Sequence, residues 1–222
     1  AAHAAPATRA AVAANRATTA LTNRLLADDT DEDVRAELAA KIAKLMPGLS
    51  RRESSHIHAL TIETLECLAR DTAVRVRAVL AEAIKTADCI PHDIVMTLAR
   101  DLEAIVSAPI LGYSPLLSSA DLMEIIAYGQ VGEALAAIAR RKPVDADVSD
   151  RLVQTLDIPA VAALLVNPDA RIRKDTMDRI IDQAGEIGAW HMPLALRADL
   201  SARAIRRIAG LVGAGIIEQL AA

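Results

Sequence analysis

Residues 26–39 read LADDTDEDVRAELA, and the same pattern returns at residues 68–81 as LARDTAVRVRAVLA. Residues 98–111, LARDLEAIVSAPIL, give a third copy in which Ser107 replaces the arginine. Residues 164–177, LLVNPDARIRKDTM, give a fourth copy with asparagine in place of aspartate. Self-similarity of this kind is the sequence signature of repeat architectures, in which one helical unit stacks on the next.

Each copy begins with a leucine and carries an acidic or amide residue three positions later. We expect that residue to cap the following helix by accepting free N–H groups of its first turn. The Val or Ile that follows and the residue four positions further on share one helix face, which is directed at the preceding helix. The structural repeat motif comprises Asp29, Arg35, Asp71, Arg77, Asp101, Asn167 and Arg173.

The composition favours helix over strand. Hydrophobic residues make up 53 % of the 222 residues, yet there is no Phe, one Trp and two Tyr. The apolar content is therefore mainly Ala, Leu, Ile and Val, and alanine is the best helix former, whereas a β-sandwich needs aromatic and Thr-rich strands. No apolar run approaches the ~20 residues of a membrane-spanning helix. We predict an all-α fold of stacked antiparallel helix pairs.

Two resemblances sharpen this prediction. The L-x-x-D-x-x-x-x-V-R spacing resembles that of HEAT repeats, in which Asp and Arg commonly form a ladder between neighbouring units. A bacterial family, mainly alphaproteobacterial and known as a domain of unknown function with HEAT-like repeats, is similar at Val106–Leu111, Ser114–Ser118, Asp121–Leu122, Ile138–Arg141, Val148–Asp150 and Leu164–Asn167. That resemblance covers roughly residues 20–210. It implies a HEAT-like α-solenoid and a bacterial cytoplasmic setting, and it brings no catalytic residues.

The predicted organisation is a lead-in followed by one domain. Residues 1–20 are an Ala-rich lead-in that we expect to be partly disordered, and residues 21–222 a single HEAT-like helical repeat domain. An irregular segment interrupts the domain at 105–119. Pro109 would remove a helix hydrogen bond and kink or end the helix there. Residues 112–115, GYSP, are typical of a turn.

An irregular segment inside a regular array is often where function lies. Ser107, Tyr113 and Ser114 place polar groups in this segment, and Arg140 and Arg141 belong to one of the basic clusters of the chain. These five residues form the candidate partner-binding set. The alternative for the segment is a structural corner that changes the stacking direction, with Tyr113 filling the core.

Basic clusters raise the alternative of a phosphate- or nucleic-acid-binding HEAT-like module. They comprise Arg70, Arg75 and Arg77; Arg140, Arg141 and Lys142; Arg171, Arg173, Lys174 and Arg179; and Arg197, Arg203, Arg206 and Arg207. Against this alternative stand the formal net charge of −4, the pI near 5.8 and the scarcity of aromatic residues that could stack on bases.

Catalysis and metal binding find little support in the sequence. Cys89-x-x-His92 and His56-x-His58 are candidate ligand pairs, but structural zinc takes four ligands. There is no nucleophile elbow, no P-loop and no dinucleotide-binding glycine pattern. We expect no cofactor, no metal and no enzymatic activity.

The expected function is that of a protein-interaction scaffold or regulatory adaptor in the cytoplasm. Its partner would be another protein, held on a helical repeat surface by shape and charge. The apolar stretch at 211–222 allows a homo-oligomer through a C-terminal helix, with a core helix as the alternative. Nucleic acid is the less favoured partner.

Overall fold

A computed structural model of the chain describes residues 4–45, 55–198 and 200–210. These residues form helices joined by short loops and contain no strand, since the pairing of Val144 with Ala170 is an isolated bridge. The predicted all-α fold is confirmed. In the described ranges no helix is both long and apolar enough to cross a membrane.

The chain divides into two compact units, unit 1 at Ala1–Ser118 and unit 2 at Ser119–Ala222. The boundary falls at the end of the segment that the sequence marked as irregular. The expectation of a single repeat domain over 21–222 stays a prediction.

Unit 1 is built from two rows of helices. Its described helices are α1 (Pro6–Ala14), α2 (Ala20–Ala27), α3 (Glu32–Leu45), α4 (Ser55–Ala69), α5 (Val74–Ile84), α6 (His92–Ala99) and α7 (Ala104–Tyr113). One row packs α1, α3, α5 and α7 side by side in that order, and α2, α4 and α6 form the other row. Helices that follow each other along the chain thus alternate between rows, which is the arrangement of stacked helix pairs.

The apolar positions of the repeat form the core of unit 1. Val34, Val76 and Val106 occupy the same place in three copies, and each is fully buried. The positions four residues later are Leu38, Leu80 and Ile110, and they are fully buried as well. The helix face predicted from the repeat is therefore the face that packs. Burying such a side chain contributes roughly 1.5–3 kcal/mol.

The repeat aspartates do not cap the helices as predicted. Asp71 accepts the N–H of Ala73 at 2.8 Å, and Asp101 accepts the N–H of Glu103 at 3.0 Å. Ala73 is itself the N-cap residue of α5 and has no side-chain cap bond. The aspartate lies two residues before the N-cap position. Its carboxylate therefore closes a turn that leads into the helix and does not cap the helix itself.

Helix α7 does not end at Pro109. It runs from Ala104 to Tyr113 with the proline inside it, so the turn predicted at residues 112–115 begins only at Ser114. The missing N–H of Pro109 costs about 3 kcal/mol. The full burial of Val106, Ile110 and Leu111 offsets this cost and keeps the segment helical.

Unit 2 also contains two rows. Its described helices are α8 (Ser119–Ala127), α9 (Glu133–Ala139), α10 (Ala146–Gln154), α11 (Ile158–Val166), α12 (Lys174–Gln183), α13 (His191–Ala195) and α14 (202–210), with a 3-10 turn at Gly188–Trp190. Helices α9, α11 and α13 pack in one row, and α8, α10 and α12 in the other. Residues 134–139 of α9 are all buried, as is Trp190. The C-terminal helix expected at 211–222 lies outside the described residues.

Candidate functional site

Three ion pairs run through unit 1 from each repeat to the next. They are Arg9–Asp29, Arg35–Asp71 and Arg77–Asp101, with Nε–Oδ2 distances of 2.7, 2.5 and 2.6 Å. In each pair Nη2 also donates to Oδ1, and Nη1 donates to a main-chain carbonyl. All six side chains are at most 15 % exposed. We call these pairs the arginine ladder, and it fixes the orientation of neighbouring helices.

The ladder shifts the pKa of several of its members. The hydrogen bond from Arg9 holds the pKa of Asp29 below its ordinary value, although burial opposes this shift. In the same way the bonds to Asp71 and Asp101 raise the pKa of Arg35 and of Arg77. These shifts favour the charged forms of Asp29, Arg35 and Arg77, and hydrogen bonds between charged groups are the stronger ones.

The ladder stops at α7 because Ser107 stands where the earlier repeats have arginine. Its hydroxyl is fully buried and lies 3.4 Å from the carbonyl oxygen of Glu103, to which it donates. No charged residue occurs anywhere in Ala104–Tyr113. A helix that is apolar on all sides is normally buried on all sides.

Helix α7 nevertheless exposes large apolar side chains. Ile105 is 67 % exposed and Tyr113 64 %, and Leu102 in the loop before the helix is 95 % exposed. The Nζ of Lys85 lies 4.8 Å from the centroid of the Tyr113 ring and also binds Glu82. We call Leu102, Ile105, Tyr113 and Lys85 the α7 surface. Exposed apolar side chains grouped on one element mark interaction sites more often than single ones do.

The structure separates the five candidate partner-binding residues. Tyr113 is exposed on the α7 surface, whereas Ser107 and Ser114 are buried. The Ser114 hydroxyl accepts the N–H of Leu116 at 3.3 Å and so shapes the turn after α7. Both serines face inward, so the surface described above does not include them. Arg140 and Arg141 belong to unit 2.

In unit 2 the repeat positions make different contacts from those in unit 1. Asn167 is buried and donates from Nδ2 to the carbonyl oxygens of Ala139 and Arg141, at 2.8 and 2.7 Å. It thereby satisfies carbonyls at the end of α9. Arg140 pairs with Glu133 at the other end of that helix, and burial lowers the pKa of Arg141.

Arg173 likewise takes no part in an arginine ladder. It lies at the start of α12 and binds the carboxylates of Asp147 and Asp150 on α10. Thr176 donates to the same Asp150. These contacts join α12 to α10 within one row, whereas the arginines of unit 1 bind the loop of the next repeat.

A second group of exposed apolar residues lies in two loops of unit 2 and at the first residue of α11. The group comprises Tyr128, Val131, Leu156 and Ile158. The N–H of Gly132 donates to Asp157 Oδ2 at 2.8 Å and so joins the two loops. Trp190 supports them from the core by donating to the carbonyl oxygen of Ile158 at 3.1 Å. The sequence analysis missed this group because its members are far apart along the chain.

Leu156 in this group has an unusual backbone. Its φ is +56°, in the left-handed region that bulky residues rarely adopt. Residues held in this region cost of order 1–3 kcal/mol and persist only where their surroundings fix them. Asp157 provides such a constraint, since its side chain binds both Gly132 and the N–H of Ala160.

Sequence reasoning also missed a buried lysine. Lys41 on α3 is 5 % exposed, and its Nζ donates to Thr18 Oγ1 and Asn23 Oδ1 at 2.6 Å each and to the carbonyl oxygen of Asn15 at 3.2 Å. Burial lowers the pKa of Lys41 to about 8. The three acceptors match the three N–H bonds of an ammonium group. This contact ties the loop between α1 and α2 to α3.

Metal-binding groupings are not found in the part of the chain that the structure describes. No group of three or more His, Cys, Asp or Glu side chains there could hold a metal ion. Cys67 and Cys89 are free thiols, and burial raises the pKa of Cys67. A raised pKa reduces the fraction of reactive thiolate.

Several arginines of the basic clusters are bound by carboxylates or by main-chain carbonyl oxygens. Ion pairs include Arg75–Asp33, Arg77–Asp101, Arg140–Glu133, Arg173–Asp147 and Arg207–Asp178. Arg197 donates to the carbonyl oxygens of Leu164, Leu165, Asn167 and Ala170. Each of these bonds uses a guanidinium N–H group that could otherwise bind phosphate.

Comparison with known proteins matches part of the chain to a family. The model of a family described as "Uncharacterised protein conserved in bacteria (DUF2336)" matches residues 106–222, slightly more than half of the chain. The matched region begins inside α7 and continues through unit 2. No curated protein and no solved structure matches the chain.

Proposed function

This chain belongs to that family of uncharacterised proteins conserved in bacteria, and we propose that it acts as a protein-interaction scaffold without catalytic activity of its own. The partner is another protein, which binds on the α7 surface. The proposal keeps the HEAT-like repeat architecture and the cytoplasmic setting that the sequence resemblance implies.

The observation that carries the proposal is the exposure of an uncharged helix. Residues 104–113 contain no charged side chain, and Ile105 and Tyr113 are about two-thirds exposed on them. Burying these side chains in a complex would remove apolar area from water, at about 25 cal/mol per Å². Aromatic residues near the centre of such a patch often dominate binding.

The arginine ladder supports a scaffold role in a second way. Because the Arg–Asp pairs fix α3, α5 and their loops relative to one another, the α7 surface is presented on a rigid row. The α7 surface then loses less conformational entropy on binding than a flexible segment would. The pairing of arginines with carboxylates also favours a protein partner over phosphate, since a guanidinium group held by a carboxylate is less available to an anion.

The test uses affinity capture with matched bait variants. The wild-type chain, Ile105→Glu and Leu25→Glu are each tagged and exposed to lysate of a bacterium that encodes the protein. Leu25 on α2 is 68 % exposed, nearly the same as Ile105, so the two substitutions place a charge on equally accessible apolar sites. Circular dichroism before capture verifies that both variants are folded.

We expect a stoichiometric partner that is lost with Ile105→Glu and kept with Leu25→Glu. Hydrogen exchange of the recovered complex should show protection of residues 102–113. A partner that binds both variants equally would place the site elsewhere. Absence of any partner protein for the wild-type bait would contradict the proposed function.

A further inference from the structure

We propose that the α7 surface also binds a second copy of this chain, with the two α7 helices antiparallel about a two-fold axis. This inference rests on the proposed function, because it assigns a partner to the same surface. The homodimer forms through unit 1, and not through residues 211–222, where the sequence suggested a contact between copies.

The first reason is that the surface suits self-association. In a two-fold interface both subunits contribute the same patch. A charged group near the axis therefore faces the identical group of the second copy, or a close neighbour of that group. Residues 104–113 carry no charge, and so two copies can approach along the whole helix without repulsion. Most exposed helix faces do not have this property.

The second reason is the placement of charge at the two ends of the surface. Glu103 is the exposed N-cap residue of α7, and Lys85 lies at the other end beside Tyr113. In an antiparallel pair Glu103 comes to lie at the end that carries Lys85 of the second copy. The two-fold axis repeats this contact, so the dimer gains two opposite-charge contacts, whereas a parallel pair would bring like charges together.

The third reason is the size of the side chains between those ends. Ala104, Ala108 and Gly112 recur at intervals of four residues, and all three are half-buried. Small residues at this spacing lie along one side of a helix and let a second helix approach closely. Ala108 is at the middle of the helix, where an antiparallel arrangement places the axis.

The experiment measures the dimer dissociation constant of the full chain by sedimentation equilibrium at low salt. Glu103→Lys and Lys85→Glu are compared with the double variant. Each single change sets like charges opposite each other at two symmetric contacts, and should raise the dissociation constant roughly tenfold. The double variant restores opposite charges and should recover wild-type affinity. Arg75→Glu, an exposed change away from α7, serves as the control.

A crosslink then tests the geometry. In a Cys67→Ala, Cys89→Ser background, Ala108→Cys should form a disulfide-linked dimer on mild oxidation. Ala11→Cys, exposed on α1, should remain monomeric. A wild-type chain that is monomeric at every concentration up to its solubility limit would overturn the inference, as would a double variant that fails to recover or an Ala108→Cys chain that does not crosslink.

The outcomes for the two proposals are separable. If the chain is monomeric and Ile105→Glu still abolishes capture of a partner protein, the dimer is overturned and the scaffold stands. If the chain dimerises as described and capture does not depend on Ile105, the dimer stands and the α7 scaffold site is overturned.

Discussion

The guanidinium group of Arg77 binds the carboxylate of Asp101 in the next repeat through two parallel hydrogen bonds, with Nε 2.6 Å from Oδ2 and Nη2 3.2 Å from Oδ1. The same guanidinium donates from Nη1 to the carbonyl oxygen of Asp71 at 2.6 Å. One side chain thus joins the loop before its own helix to the loop before α7. The contact adds a polar tie to the apolar packing of α7 on α5.

Removing the Arg77–Asp101 pair from the arginine ladder should destabilise unit 1. In Arg77→Met the largely buried Asp101 carboxylate loses the guanidinium group that pairs with it, and we expect a loss of about 2–3 kcal/mol in the free energy of unfolding. Urea denaturation followed by circular dichroism measures it. Arg75→Met breaks the exposed pair with Asp33 and serves as the control, with no measurable change expected. Equal effects of the two variants would show that the ladder carries no special stability.

Asn167→Asp should destabilise unit 2, although aspartate is the residue at this position in the repeats of unit 1. The Nδ2 of Asn167 donates to two carbonyl oxygens, and a carboxylate would set an acceptor against them. We expect a loss of about 2–3 kcal/mol, measured by thermal and urea unfolding at neutral pH. Asp169→Asn, on an exposed neighbour, is the matched control. A neutral result for Asn167→Asp would mean that the amide does not cap α9.

Lys41 should give the protein a distinctive alkaline stability profile. Its pKa is about 8 in the folded state against 10.5 for an ordinary lysine, so between these values the unfolded chain binds more protons than the folded one. Stability therefore rises with pH across this window, and the contribution is lost as the pH falls through 8. Urea unfolding of wild type and Lys41→Met between pH 7.5 and about 10.5 should show this rise in the wild type alone.

The control for this measurement is Lys44→Met, which removes an exposed lysine from the same helix. Its pH profile should follow that of the wild type. If the pH profile of Lys41→Met also follows that of the wild type, the ammonium group of Lys41 is less desolvated than its burial indicates.

Leu156→Asn should stabilise the loop between α10 and α11. Asparagine adopts positive φ more readily than leucine does, and Leu156 is half exposed, so little apolar burial is lost. We expect a gain of roughly 0.5–1 kcal/mol, seen as a higher Tm in calorimetry. Ile158→Asn, which removes a similarly exposed residue without a positive φ, should not stabilise. A lower Tm for Leu156→Asn would show that the side chain contributes more by packing than the strain costs.

Local features of the sequence were sufficient to predict the helical architecture. The repeated Val and Leu positions determine which helix face is buried, and Val76 and Leu80 lie in the core as expected. Helix boundaries were predicted less well, since Pro109 lies within α7. A proline signal is local, whereas the burial of Ile110 and Leu111 that outweighs it depends on packing against other helices.

The candidate site could be predicted only in part. Tyr113 was identified because it interrupts a regular pattern, and it is exposed. Ser107 and Ser114 were chosen for their polarity, which does not reveal that both are turned inward. Ile105 and Leu102 were not chosen, because a sequence does not distinguish an exposed apolar residue from a buried one.

By itself, the sequence determined that this protein is a stack of helix pairs, because periodic apolar positions and helix propensity act over neighbouring residues. The tertiary structure decided which polar groups meet. Lys41 finds its acceptors on a different helix and loop, and Asn167 reaches carbonyl oxygens more than 25 residues away in the chain. Such partners are brought together only by packing, and the same packing leaves one side of α7 open to solvent.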